Sequence, residues 1–429
     1  MARKMKDSGI EWIGEIPEGW EIKYFVQLFS QVKNKNIGLC EKNLLSLSYG
    51  KIKQKSIETV GGLLPDNFEG YNIIDRDDIV LRLTDLQNDQ HSLRVGLSHE
   101  RGIITSAYCS IRVRGAESPN YLYYYLHTFD IAKGFYGMGS GVRQGLNWDG
   151  LKYIKILLPP QHEQDRISVF LNQKTLEIDS MLSKTISSIE EYKKLKQAVI
   201  TQAVTKGVRG EREMKDSKVD YIGQIPDEWV LCKLRNIGDA QNGISKASEF
   251  FGKGTPFVSY SDVYKNYSLP FSVSGLVEST PEEQERYSVK EGDIFFTRTS
   301  ETIEEVGFSC VCEKDIPNAT FAGFLIRVRP FSDELYTPYA KYYFRSSHLR
   351  FYLVKEMNLV TRASLGQSLL KSMPVLLPSL QEQKEIANYL DAKCAEIDGL
   401  IAKKEQLVKE LESYKKSLIY EVVTGKREV

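Results

Sequence analysis

The chain has 429 residues, 41% hydrophobic and 27% charged, with 57 Lys and Arg against 57 Asp and Glu, so its formal net charge is zero. This is the profile of a soluble globular protein long enough for two or three domains, and no run approaches the length of a membrane span. A surface for a polyanion would have to be a local patch, which a balanced total neither supplies nor forbids.

Met1 to Lys6 is basic with no apolar stretch behind it, so neither a signal nor a transit peptide is indicated and a cytoplasmic location is expected. The six cysteines are scattered and the five histidines are not paired at ligand spacing, so no metal site is expected.

The first recognisable element is a bracket, Asp7, Ser8, Ile13, Gly14, Ile16, Pro17 and Trp20, which returns 209 residues later as Asp216, Ser217, Ile222, Gly223, Ile225, Pro226 and Trp229. Behind it, Leu44 to Ile57 alternates loosely as a strand, with Lys51, Lys53 and Lys55 on one side and Ile52 and Gln54 on the other. Ammonium groups in a row suit a phosphate backbone, and they equally suit an edge strand protected by lysine. Asp77 to Leu83 and Ile103 to Val113 read as core strands, and Pro119 to Phe129 as a tyrosine-rich helix whose tyrosines are mostly core. Gly137 to Gly145 is a donor-rich loop in which Arg143 and Gln144 could reach base edges, or which could simply cap the following helix.

From Gln161 to Lys206 there is neither Pro nor Gly, and Ile178, Leu182, Ile189, Tyr192, Val199 and Ala203 recur at helical spacing. At 1.5 Å per residue such a helix spans roughly 65 to 70 Å. The stretch returns at an offset of 219: Leu157, Leu158, Pro159, Glu163 and Gln164 fall on Leu376, Leu377, Pro378, Glu382 and Gln383, and Glu177, Ile178 and Asp179 on Glu396, Ile397 and Asp398. Ser379 with Glu382 forms a capping box, Pro160 suits a first turn, and Gly207 and Gly425 mark the ends. A stripe this narrow needs a partner, and the simplest is the other copy, giving an antiparallel coiled-coil pair.

The second interior carries strands near Phe257 to Tyr260, Glu291 to Thr299 and Phe321 to Arg329, with Lys246, Ser261, Asp262, Lys265, Asn266, Arg298, Thr299 and Ser300 at strand ends or loops. Thr337 to Tyr352 reads as an aromatic, basic helix. Arg143 meets Arg362 at the 219 offset while Gln144 and Trp148 face Ala363 and Gln367, as expected for a fixed phosphate anchor beside variable readers. Phe250, Gly252 and Gly254 spell F-x-G-x-G, but without the strand and helix that a cofactor loop needs; no Walker A, G-x-S-x-G or H-E-x-x-H motif occurs. A non-catalytic chain is expected.

Taken together, the paired brackets, the paired LLP-x-x-x-EQ helix entrances, the EID turns at Glu177 and Glu396 and the ending Val422, Val423, Thr424, Gly425 resemble the specificity subunit of type I restriction-modification systems along the whole chain. The resemblance implies two α/β target-recognition domains of mixed, largely antiparallel strands, at 1–158 and 209–377, joined by two long antiparallel coiled-coil helices at 159–208 and 378–429. Each domain would read one half of a bipartite, asymmetric site in double-stranded DNA, with the helical pair setting the spacer. It also implies two methyltransferase (modification) subunits and restriction/translocation subunits as partners, no membrane, and S-adenosylmethionine, ATP and magnesium held by those partners. For phosphate contact the candidates are Lys51, Lys53, Arg143, Lys246 and Arg362; for base reading, Gln54, Gln144, Ser261 and Gln367. A coiled-coil adaptor that binds proteins only is the other reading; it explains the helices but not two different donor-rich loops.

Overall fold

The computed structural model describes residues 3–56, 67–86, 89, 92–138, 145–300, 306–356 and 363–429. The chain forms two compact units, Met1–Ile186 with Gln406–Val429, and Ser187–Glu405. Each is built on the same plan.

Both units open on a small antiparallel hairpin made by the bracket, Met5–Asp7 with Glu15–Pro17 in the first and Met214–Asp216 with Gln224–Pro226 in the second. The strand that follows pairs with the strand entering the long helix: Glu21–Tyr24 with Lys155–Leu158, and Val230–Lys233 with Pro374–Leu377. Each interior centres on a four-stranded antiparallel sheet. Its order is Phe29–Gln31, Cys109–Val113, Ile79–Leu81, Val95–Leu97 in the first unit, and Gly238–Asn242, Leu325–Pro330, Ile294–Thr297, Ser309–Val311 in the second. The mixed α/β, largely antiparallel class expected from the sequence is thus present twice.

The long helices run Gln161–Lys206 and Leu380–Val423 without interruption. In the first unit the early turns of the first helix (Ile167, Leu171, Ile178) share a core with the last turns of the second (Leu418, Ile419, Val422, Val423) and with Trp20. In the second unit the roles reverse, with Ile200, Ala203 and Val204 against Ile386, Leu390, Cys394 and Trp229. Register is marked in each unit by an ion pair between the helices, Lys415–Asp179 at 2.5 Å and Lys196–Asp398 at 2.6 Å. The aspartates are those of the two EID turns. Gly207 and Gly425 end the helices with φ of 78° and 73°, and each is packed closely, against Arg212 just before the second bracket in one case and against Pro17 with Trp20 of the first bracket in the other, where a Cβ would collide.

The EQ pair that opens each helix has a defined task. Trp20 donates its indole N–H to Glu163 at 3.1 Å, and Trp229 to Glu382 at 3.0 Å. Arg3 and Arg212 pair with the same carboxylates at 2.6 Å and lie over the same indoles. Burial raises the Glu163 carboxyl, but the bonds from Arg3 and Trp20 outweigh it and hold the group below the usual glutamate range. Gln164 and Gln383 accept from the backbone N–H of Ser118 and Tyr336, at the starts of the tyrosine helices, and donate to the carbonyls of Pro159 and Pro378. The tyrosines complete the joint: Tyr121 and Tyr339 donate to Leu157 and Leu376, and Tyr125 and Tyr343 to Lys155 and Pro374.

Several sequence expectations need correction. Leu44 to Ile57 is not one strand: Leu45–Ser48 and Lys51–Gln54 form a hairpin whose turn residues, Tyr49 and Gly50, have φ of 48° and 74°. Ile103 to Val113 is two strands, because the Tyr108 N–H turns back to the Thr105 carbonyl. Thr337 to Tyr352 divides into helices Thr337–Tyr343 and Ser347–Glu356, where the Arg345 guanidinium leaves to reach the carbonyls of Ser309, Val263 and Asn266. The F-x-G-x-G stretch is a bulged strand on Leu276–Val277. Ser379 accepts from the Glu382 N–H, but the Glu382 carboxylate goes to Trp229 and Arg212, so the capping box is half made.

Trp20→Ala should lower the stability of the first unit by about 3–5 kcal/mol, through the lost indole and the stranded Glu163; a loss under about 1 kcal/mol in urea denaturation would contradict this role. A second expectation concerns acid. Burial pushes His127 down to about 4 and His348 to about 3. Since the unfolded chain then takes up protons first, stability is lost as pH falls from the ordinary 6.5 toward those values. Neither His348 ring nitrogen has a hydrogen-bond partner among the described residues. His348→Leu should therefore flatten this acid limb while leaving stability at pH 7 within about 1 kcal/mol; an unchanged limb in pH-dependent melts would rule the residue out.

Candidate nucleic-acid interface

The chain just beyond each donor-rich loop is held at the same place in both units. The Leu146 N–H is bonded to the Leu83 carbonyl at 2.8 Å and the Leu365 N–H to the Arg298 carbonyl at 2.7 Å, so each of these leucines is tied to the end of the corresponding strand, Ile79–Leu81 or Ile294–Thr297. Beneath each strand an invariant geometry holds the sheet: Arg112 grips buried Asp78 at 2.7 Å, and Arg329 grips buried Asp293 at 2.6 Å. A carboxylate with no exposure survives only with such a partner.

Arg143, Gln144 and Arg362 lie outside the described residues. On the 45–54 hairpin, Leu45 and Leu47 are buried while Lys51, Lys53 and Gln54 are exposed. Lys51, though 61% exposed, is committed to Asp179 at 2.8 Å, so this carboxylate also takes the Lys51 ammonium besides that of Lys415. Burial raises Asp179, and the two lysines more than reverse it. Lys53 has no ion-pair partner among the described residues and is the more available of the two ammonium groups on this strand.

In the second unit Lys246 is turned inward. Its ammonium reaches Glu283 at 2.7 Å and the Glu278 carbonyl at 2.8 Å, and it lies over the Phe250 ring. Ser261 is not at a strand end but in the first turn of the helix Tyr260–Lys265, behind a Ser259–Asp262 capping box. Gln367 opens the helix Gln367–Ser372 and donates to Asn242 at 3.0 Å. Beside it the Arg298 N–H is bonded to the Phe324 carbonyl, and Thr299–Ser300 pairs with Ala363–Ser364. Gln367, Asn242, Arg298, Thr299 and the 65% exposed Phe324 therefore form one polar edge with an aromatic ring standing out of it.

Asn242 and Phe324 were not singled out from sequence, and only a repeat aligned through the sheet would have found them. Two structural arginines were also missed, buried Arg94 and half-buried Arg345. Arg94 has no exposure and donates to the carbonyls of Arg82, Thr84 and Asp85, holding the 82–86 turn. Arg345 does the same for the 263–266 segment. A guanidinium suits such work because its fork satisfies several carbonyls at once.

Residues 226–410 match the family described as the type I restriction modification DNA specificity domain. The chain is 24% identical over 420 residues to the type I restriction enzyme MjaVIII specificity subunit of Methanocaldococcus jannaschii, covering 96% of this chain and 93% of that protein. It is 27% identical over 271 residues to the EcoKI specificity subunit of Escherichia coli strain K12, covering 61% and 56%. Two solved structures share the fold at 17% identity. One is a chain from work on complex assembly and conformational transition of the type I R-M system, with a TM-score of 0.71 and coverage of 96% and 99%. The other is the HsdS subunit from Thermoanaerobacter tengcongensis, at 0.52 with coverage of 96% and 98%.

Proposed function

We infer that this chain is a specificity subunit of a type I restriction-modification system, and that it chooses the DNA sequence on which partner subunits act. The observation that carries this is the duplication: one frame of Trp, Glu, Gln, Arg and Tyr is used twice at 2.6–3.1 Å, around interiors whose exposed edges differ. Two equivalent mounts with unlike faces suit two half-sites of unlike sequence. An adaptor that binds only proteins has no use for that difference.

In this reading each unit presents its donor-rich loop and sheet edge to one half-site. Lys53, Arg143 and Arg362 neutralise phosphates, while Gln54, Gln144 and Gln367, with Asn242 and Arg298, face base edges. The ion pairs of Lys51 and Lys246 make them supports of the binding surface. The long helices fix the unread spacer and offer the docking surface for two modification subunits, with restriction/translocation subunits joining them. Methyl transfer and cleavage, with S-adenosylmethionine, ATP and magnesium, belong to those partners, and the assembly is cytoplasmic. Among the described residues no helix is long and apolar enough to cross a membrane.

Mapping methylated adenines directed by the chain with its modification subunits tests the reading: one bipartite, asymmetric sequence supports it, whereas no preferred site, or one unbroken site, contradicts it. Inserting four residues at matching positions of both helices adds about 6 Å and should lengthen the spacer by about one to two base pairs; an unchanged spacer would remove the helices from that role. Lys53→Ala should weaken binding to all sequences and reduce the salt slope by about one. Lys246→Ala should leave that slope alone and cost about 1–2 kcal/mol of stability; the reverse pattern in binding and melting measurements would exchange the two assignments.

A further inference from the structure

The first unit contains a cleft of about 730 Å³ between its tyrosine helix, the 49–52 turn and the two long helices. His127 lines it, is 8% exposed, and has an Nδ1 with no hydrogen-bond partner among the described residues. Around the rim stand Lys51, Lys415 and Lys416 against Asp179 and Glu412, with Leu176 exposed at the mouth.

The second unit shows what such a place holds. Through the repeat, Tyr124, His127, Lys415 and Lys416 correspond to Tyr342, Arg345, Lys196 and Gln197. All four of these touch one side chain, Tyr267. Its ring lies 6.0 Å from the Tyr342 ring, with the Lys196 ammonium at 5.3 Å and the Arg345 guanidinium at 5.0 Å, and its hydroxyl accepts from Gln197 at 3.3 Å. The second unit thus fills this position with its own tyrosine. In the first unit the corresponding walls line the cleft instead.

We propose that the cleft of the first unit is a docking site for an aromatic side chain, a tyrosine by the precedent of Tyr267, carried on a polypeptide segment of a modification subunit. The ring would lie over Lys415 beside Tyr124 and His127, and its hydroxyl would accept from Lys416, the counterpart of Gln197. Tyrosine suits such a site because it brings a large rigid ring and one polar tip at little entropic cost. Three lysines against two carboxylates favour a segment with an acidic residue beside the tyrosine. The inference rests on the reading of the chain as a specificity subunit. It goes further by making the two modification subunits dock inequivalently, since in the second unit Tyr267 already occupies the corresponding position.

The test is the affinity of the full-length chain for its purified modification subunit, measured by titration calorimetry. Leu176→Trp, at a 71% exposed position, places a ring across the mouth without touching the core. Lys416→Glu reverses a rim charge, and Leu195→Trp, 48% exposed on the same helix and not lining the cleft, is the control. Weakening of one docking event by about tenfold or more in the first two variants, with the control unchanged, is expected. Equal affinity in all variants, or equal weakening in all three, overturns the proposal. Self-association of the chain alone that Leu176→Trp abolishes would put a second copy in the cleft and overturn it too. If the unaltered chain binds no modification subunit, the underlying functional reading fails, a result distinct from binding that ignores the cleft.

Discussion

A buried indole N–H bonded to a carboxylate in the first turn of a long helix is the contact on which both halves of this molecule turn. A glutamate with 5% or 1% exposure, as in Glu163 and Glu382, would be expensive were it not held by indole and guanidinium together. Because the glutamate is followed by a glutamine bonded to the tyrosine helix, three separate stretches, the bracket, the helix entrance and the aromatic helix, are fixed to one another at a single point. Everything outside the joint is free to vary.

What varies is the part turned outward. The sheets share strand order and a buried Asp–Arg pair, yet the first unit carries a lysine-bearing hairpin, whereas the second carries a bulged strand with exposed Phe324 nearby on another turn. The same economy governs the ion pairs between the helices: Asp179 and Asp398 set register identically, but among the described residues only Asp179 also receives a lysine from the 45–54 hairpin. Ligand-specific surfaces on a common frame are how a fold supports many specificities.

Much of the frame could be read from the residues because it is written twice. The long helices declared themselves by spacing and the absence of Pro and Gly, and the brackets by Gly, Pro and Trp at matching positions. The task of Glu163 and Gln164 could not be read, since their partners lie 143 and 46 residues away and only folding brings them together. For the same reason Lys51 and Lys246 looked like free cations; their carboxylates are 128 and 37 residues distant. The Tyr49–Gly50 turn was hidden because tyrosine replaces the Asn or Asp that usually announces such a turn. Arg345 in an apparently continuous helical pattern gave no sign that its guanidinium would leave to hold four carbonyls.

Exchange of interiors tests the claim of two identical mounts most directly. The strand pairs 21–24 with 155–158 and 230–233 with 374–377 mark equivalent joints, so residues 25–154 can be replaced by 234–373. The chimaera is expected to fold and to direct methylation to a site in which the second unit's half-sequence occupies both positions at the original spacing. A chimaera that does not fold, or that still selects the original asymmetric sequence, would contradict the account.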